Sequence, residues 1–158
     1  MTLIAILILL PVLLIVAGQA GLLRGKPLRP PGVTAGKLPP PSKTQNSVSS
    51  QAALYPDHPQ ASYAKIEPFR YTGDGKAAFD KLAKVVAGWP RTTIVKAEAG
   101  YLHAECSTRL LKFTDDLELW LDEPNQVIQV RSSSRLGRKD LGVNRARVEA
   151  LRAAAGLL

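Results

Sequence analysis

Residues 1–23 carry no charged side chain, and Leu3 to Ala17 is apolar throughout, with Pro11 in its middle. A helix over that stretch would be about 34 Å long, enough for a bilayer core of about 30 Å. Proline is better tolerated in membrane helices than in soluble ones. The pattern therefore predicts a transmembrane anchor over residues 1–23. A cleaved secretory signal competes with it: Leu3–Val16 would be the apolar core and Gly18-Gln19-Ala20 the cleavage site. No Lys or Arg precedes the run, which argues against a signal. A helix buried in a soluble core fits poorly, because the run has no polar face.

Residues 24–50 read as a Pro-rich linker or extended arm. Pro27, Pro30, Pro31, Pro39, Pro40 and Pro41 favour polyproline geometry, either as a spacer or as a strip lying on the domain. Asn46 to Gln51 is polar and turn-like, and Asp57-His58-Pro59 reads as loop.

Residues 51–158 read as the folded domain. Ile66–Arg70 is a short strand. Thr72-Gly73-Asp74-Gly75 is a helix start, with Asp74 or Thr72 as cap. Phe79, Leu82, Val86 and Trp89 recur at helical spacing, opposite Lys76, Asp80 and Lys84, until Pro90 stops the helix. Four strands follow. Thr92–Ala97 is β-branched and alternating. In Tyr101–Cys106, Leu102, Ala104 and Cys106 point one way, and Tyr101, His103 and Glu105 the other. Leu117, Leu119 and Leu121 alternate with Glu118, Trp120 and Asp122. Ile128 and Val130 alternate with Val127, Gln129 and Arg131. Arg109–Phe113 reads as an extension of the second of these strands. Ala99-Gly100 and Glu123-Pro124-Asn125-Gln126 supply turns. Val148, Leu151, Ala155 and Leu158 form the apolar face of a closing helix. The predicted fold is α+β: an N-terminal transmembrane helix, then a small, mostly antiparallel sheet with two helices packed on one face.

Charge changes this picture only locally. The formal charge is +8, from 21 Lys and Arg against 13 acids. Arg24, Lys26, Arg29, Lys37 and Lys43 precede residue 65, with Asp57 as the one acid there, so much of the bias lies just after the apolar segment. By the positive-inside rule this places the domain in the cytoplasm. No basic stripe with interleaved aromatics points to nucleic acid. The single cysteine, Cys106, forms neither an internal disulfide nor a multi-cysteine zinc site, and its pattern places it in the core.

His103 and Glu105 share a strand face and, with Tyr101, Trp120 and Arg131, line the side of the sheet away from the helices. A His with a carboxylate suits acid–base work. With only two convincing ligands, no metal site is predicted, and no cofactor. Arg131 and Arg135 bracket Ser132, Ser133 and Ser134, with Asp140, Asn144 and Arg145 downstream. This basic segment either binds an anion, such as phosphate, carboxylate or a lipid headgroup, or pairs its arginines with Asp115, Asp116 and Asp140 as scaffold.

Several motifs resemble one bacterial and plant family. They are Leu102-His103-Ala104-Glu105, Asp115-Asp116-Leu117-Glu118, Arg131-Ser132-Ser133-Ser134-Arg135-Leu136-Gly137 and Asp140-Leu141-Gly142-Val143-Asn144-Arg145 with Arg147-Val148-Glu149. Upstream, Gly36-Lys37-Leu38 and Asn46-Ser47-Val48-Ser49-Ser50-Gln51 continue the match. Together they are similar to the domain of unknown function 1499. The resemblance implies an architecture and an envelope or organelle setting, with no established activity. Many relatives carry cysteines where this chain has Pro41 and Ser47. Their joint absence implies a pair that works together in those relatives as a disulfide or metal clip. A disulfide would favour an oxidising compartment, and so the periplasm, against the positive-inside count.

The sequence thus predicts a single-pass bacterial membrane protein whose domain binds a ligand or partner without chemistry. The rival expectation is a hydrolase-like or metal-assisted enzyme using His103 and Glu105.

Overall fold

The computed structural model describes residues 2–157, with side chains from residue 9 onward. Met1 and Leu158 lie outside the described residues, and so does the expected place of Leu158 on the closing helix.

The apolar N-terminus forms helix α1 (Thr2–Gln19). At 18 residues it is about 27 Å long, shorter than the expected span over residues 1–23. Gly21 stops it. With φ at +80° it adopts the left-handed geometry that an L side chain resists. Its N–H reaches Gly18 O at 2.9 Å while Leu22 N–H reaches Ala17 O at 3.0 Å, a double bond pattern that closes a helix end. Among the described residues no helix is long and apolar enough to cross a membrane, which corrects the expected span.

The domain is a six-stranded antiparallel sheet. Its strands are β1 (Ser47–Ser49), β2 (Phe69–Arg70), β3 (Thr92–Glu98), β4 (Tyr101–Ser107), β5 (Thr114–Asp122) and β6 (Val127–Ser134). The order is β1-β6-β5-β4-β3, and β2 pairs with the other half of the same β6 edge that β1 occupies. The hairpin between β3 and β4 turns at Gly100 (φ +73°). The β5–β6 connection ends on Gln126, also left-handed. Two predicted features differ. Asn46–Gln51, read as turn-like, contains β1. Arg109–Phe113, read as strand, is a loop in which Thr108 N–H donates to Phe113 O at 2.9 Å and Lys112 has positive φ.

A short helix α2 (Ala61–Ala64) precedes β2. Helix α3 (Gly75–Ala87) begins where expected, because Asp74 accepts hydrogen bonds from the backbone N–H of Lys76 and Ala77 at 2.8 and 3.2 Å. Helix α4 (Val143–Ala155) closes the chain. Phe79, Leu82 and Val86 of α3 and Val148, Leu151 and Ala155 of α4 are buried against Leu102, Ala104, Leu117, Leu119, Ile128 and Val130. Leu121, expected in that core, is only partly buried at its margin. Cys106 lies in the core, where burial pushes its thiol pKa up and leaves it a poor nucleophile.

Residues 24–45 are the extended strip of the two arrangements the prolines allowed. They cross the face of the sheet away from α3 and α4. Gly32 N–H donates to Glu118 at 2.8 Å, and Leu38 is buried with its N–H on Gln51 Oε1 at 2.7 Å.

Candidate functional site

Alternation along three neighbouring strands builds the polar face. Tyr101, His103 and Glu105 come from β4, Asp116 and Glu118 from β5, and Gln129, Arg131 and Ser133 from β6. The register sets His103 beside Glu118, Glu105 beside Asp116, and Glu118 beside Arg131. Apart from Glu105, which is partly exposed, these side chains are closed off from water. His103 is 6% exposed, Asp116 and Arg131 2%, and Glu118 0%. A charge buried this deeply survives only if it is paired and hydrogen-bonded.

Two acids organise that pairing. Glu118 accepts from Arg131 Nη1 at 2.7 Å, from Tyr101 Oη at 2.9 Å and from the arm at Gly32 N–H. Asp116 bonds His103 Nε2 at 2.8 Å and accepts from Arg135 Nη2 at 2.7 Å and Nε at 3.1 Å. Arg135 also reaches Glu105 Oε1 at 2.6 Å, while Arg24 of the arm reaches Glu105 Oε2 at 3.3 Å. Burial pushes the Asp116 carboxyl upward. The hydrogen bonds from His103 and Arg135 and the charge of Arg135 outweigh it, and hold Asp116 below the ordinary carboxylate value. Burial, followed by the charge and hydrogen bond of Glu118, raises the Tyr101 phenol well above its usual range. The network leaves two buried atoms without a partner, Arg131 Nε and Ser133 Oγ.

The remaining expected site residues form a second knot, on the helix side of β6. Asn144 is fully buried. Its Oδ1 accepts from Ser132 Oγ and from Arg147 Nη1, both at 2.7 Å. Its Nδ2 donates to Asn46 O, Ser134 Oγ and Asp140 Oδ2. Asp140 accepts from the backbone N–H of Gly142 and Asn144, both at 3.0 Å, and from the Tyr63 hydroxyl. Burial raises the Asp140 pKa, but those bonds lower it further than burial raises it. Arg145 donates to Tyr63 O at 2.6 Å, and Arg147 pairs with Asp115 at 2.6 Å.

The structure therefore brings His103, Glu105 and Arg135 together around Asp116, sets Arg131 beside them on Glu118 with Ser133 on the same face, and places Asp140, Asn144 and Arg145 in a separate knot. His103 and Glu105 do not bond each other. Each is held by the same Asp116–Arg135 pair. Among the described residues no group of three or more His, Cys, Asp and Glu is arranged to hold a metal ion. Glu118, one of the hubs, was absent from the expected site, and Asp116 entered it only as a scaffold partner of the arginines, the place it takes with Arg135. The period of two that placed Trp120 on this face places them there as well. The role of the arm had no comparable signal.

Positions 41 and 47, the cysteine positions in the resemblance, are neighbours in space: Ser47 Oγ accepts from the N–H of Ser42 at 2.7 Å.

Neither the curated proteins nor the solved structures give a match to this chain. The family model described as "Protein of unknown function (DUF1499)" matches residues 37–155, which run from the middle of the arm through β1 and the whole sheet to the end of α4. With most of its length and both polar knots inside that match, the chain belongs to the DUF1499 family.

Proposed function

We propose that this chain is a membrane-associated cell-envelope domain that binds a ligand or partner and performs no reaction on it. The carrying observation is the state of α1. Leu9, Leu10, Val12, Leu13 and Val16 are each at least half exposed, up to 61% at Leu13, and no part of the domain covers them. At about 25 cal/mol per Å² of apolar surface, such a helix gains strongly by leaving water. Its last turn is fixed to the domain: Gln19 Nε2 donates to Leu110 O at 2.8 Å. Gly18 lies so close to Leu111 that a Cβ there would stand 2.5 Å from its carbonyl oxygen. The same loop exposes Leu110 at 59% and Phe113 at 37%, beside Arg109 and Lys112. Apolar side chains flanked by cations suit a lipid–water boundary.

Binding is favoured over catalysis because His103 and Glu105 already have partners and are shielded by the arm. The domain is placed on the periplasmic side of a bacterial membrane. The adjacency of positions 41 and 47 supports this reading if the relatives' cysteine pair is a disulfide, which favours an oxidising compartment; a metal clip there would not bear on the side.

Sedimentation of membranes at neutral pH from cells making the full chain tests the tether. The protein is expected in the pellet, and deletion of residues 1–23 should release it. A soluble full-length product beginning at Gly21 would replace the tether with a cleaved signal. Protease protection in spheroplasts tests the side: the domain should be digested without lysis, and protection would place it in the cytoplasm.

A further inference from the structure

Where the arm crosses the polar face it roofs a cavity of about 300 Å³. Three cationic side chains reach it: Arg29 and Lys43 from the arm and Arg131 from the floor. His58 forms part of the wall, and Leu28 and Pro40 supply apolar surface. No acid lines it. Arg131 is 2% exposed and gives Nη1 to Glu118, which balances its single charge from below while other N–H groups of the guanidinium remain as donors. Its Nε has no partner. A buried guanidinium N–H without an acceptor is costly to leave unmet, so this arginine is incompletely satisfied within the chain. Arg29 and Lys43 form no ion pair among the described residues, and both are exposed at the cavity rim. His58 Nδ1 accepts the Gln60 N–H at 3.2 Å, which in the neutral ring leaves the proton on Nε2 as a donor.

The cavity thus offers a buried, incompletely satisfied arginine, two unpaired cations and a ring donor, with apolar walls. Its size is at the lower end for small-ligand sites. A tetrahedral oxyanion matches the donors, and an ester chain matches Leu28 and Pro40. We propose that this cavity binds a phosphate group, free or as the headgroup ester of a lipid, with Arg131, Arg29 and Lys43 as its ligands. This gives the binding function a site and a ligand class, and it rests on that reading only in taking the ligand to leave unchanged. The site differs from the anion site expected in the 131–145 segment: of those residues only Arg131 lines it, because Arg135, Asn144 and Arg145 are committed elsewhere.

Isothermal titration of the full chain in neutral-detergent micelles, at constant ionic strength, tests this with two soluble probes: inorganic phosphate and glycerophosphoglycerol. Saturable binding of at least one is expected. Tighter binding of phosphate would identify the free anion as the ligand, and tighter binding of the diester a lipid headgroup. The double variant R29Q/K43Q changes only exposed side chains outside the ion-pair network, so its melting temperature should be unchanged while Kd rises at least tenfold. Arg131→Lys keeps the charge facing Glu118 but removes the guanidinium that lines the cavity, and should weaken binding at least tenfold. If that variant does not fold, R29Q/K43Q decides alone. No saturable binding of either probe, or unchanged Kd in R29Q/K43Q, overturns the site. Phosphorus NMR of the diester incubated with protein separates the two readings: intact diester keeps both, whereas released glycerol phosphate would leave the site standing and overturn the non-catalytic reading.

Discussion

Under α3 and α4 the sheet buries Leu102, Leu117, Leu119, Ile128 and Val130. On its other side the same strands bury Tyr101, His103, Asp116, Glu118 and Arg131 beneath a chain segment with almost no secondary structure of its own. The two sides reach similar burial by different physics. On the helix side each apolar group contributes separately, roughly in proportion to the area it removes from water. On the arm side Glu118 with Arg131, and Asp116 with His103 and Arg135, are each stable only as a paired group, since charges are costly to bury unless every one is met. The helix side should therefore tolerate volume-conserving changes, and the arm side should fail when a single partner is lost. The arm is part of that second side: its Gly32 N–H and Arg24 complete the shells of Glu118 and Glu105.

The sharpest break of this comparison is Glu118→Gln. It removes the charge facing Arg131 at a position with no exposure, and should lower unfolding free energy by about 3–5 kcal/mol in urea titrations. A loss below about 1 kcal/mol would mean the pair is solvated and the arm does not seal it. On the other face, Leu151→Ala should cost about 2–5 kcal/mol through a cavity, whereas Leu151→Met should cost less than about 1.5 kcal/mol. Equal losses for the two would show that this side, too, depends on fixed geometry. Asp140→Ala, which strips two backbone N–H acceptors from the start of α4, should cost about 1–2 kcal/mol. Circular dichroism melts of that variant alongside Asp140→Asn would separate lost hydrogen bonds from lost charge.

Acid should weaken both knots gradually. The Asp116 and Asp140 carboxyls have folded pKa values below their ordinary value. The unfolded chain therefore takes up protons first as pH falls. Their stabilisation is fully present above about pH 3.9, the unfolded value, and is lost as pH drops through the folded values. In melts from pH 7 downward, Asp116→Asn should have a lower melting temperature at pH 7 and a shallower acid decline than the unaltered chain. Parallel declines would mean that Asp116 is not among the groups that titrate.

Most of the sheet and helices α3 and α4 were legible because their periods are clean. Leu102–Ala104–Cys106 against Tyr101–His103–Glu105 fixed which face meets the helices, and Asp74 and Pro90 bounded α3. Ser47–Ser49 was not legible as a strand. Three residues of Ser-Val-Ser carry no periodicity, and their place on β6 depends on tertiary pairing with Arg131–Ser133. The loop at 108–113 looked like strand because Leu110, Leu111 and Phe113 are apolar, although Leu110 and Phe113 are exposed. His103, Glu105 and Arg131 could be grouped on one face from the period of two. Which acid each would bond could not, because that depends on cross-strand register, and the covering arm is set by contacts some 80 residues away in sequence.

Whether the polar face is a scaffold or a site held ready for chemistry comes down to the His103–Asp116 contact. A double-mutant cycle in urea, using His103→Ala, Asp116→Asn and the double variant, measures it directly. A buried structural pair should give two destabilised single variants and a coupling energy of about 0.5–3 kcal/mol. Single variants as stable as the unaltered chain, with effects that simply add, would contradict the scaffold and return His103 to consideration as a catalytic group.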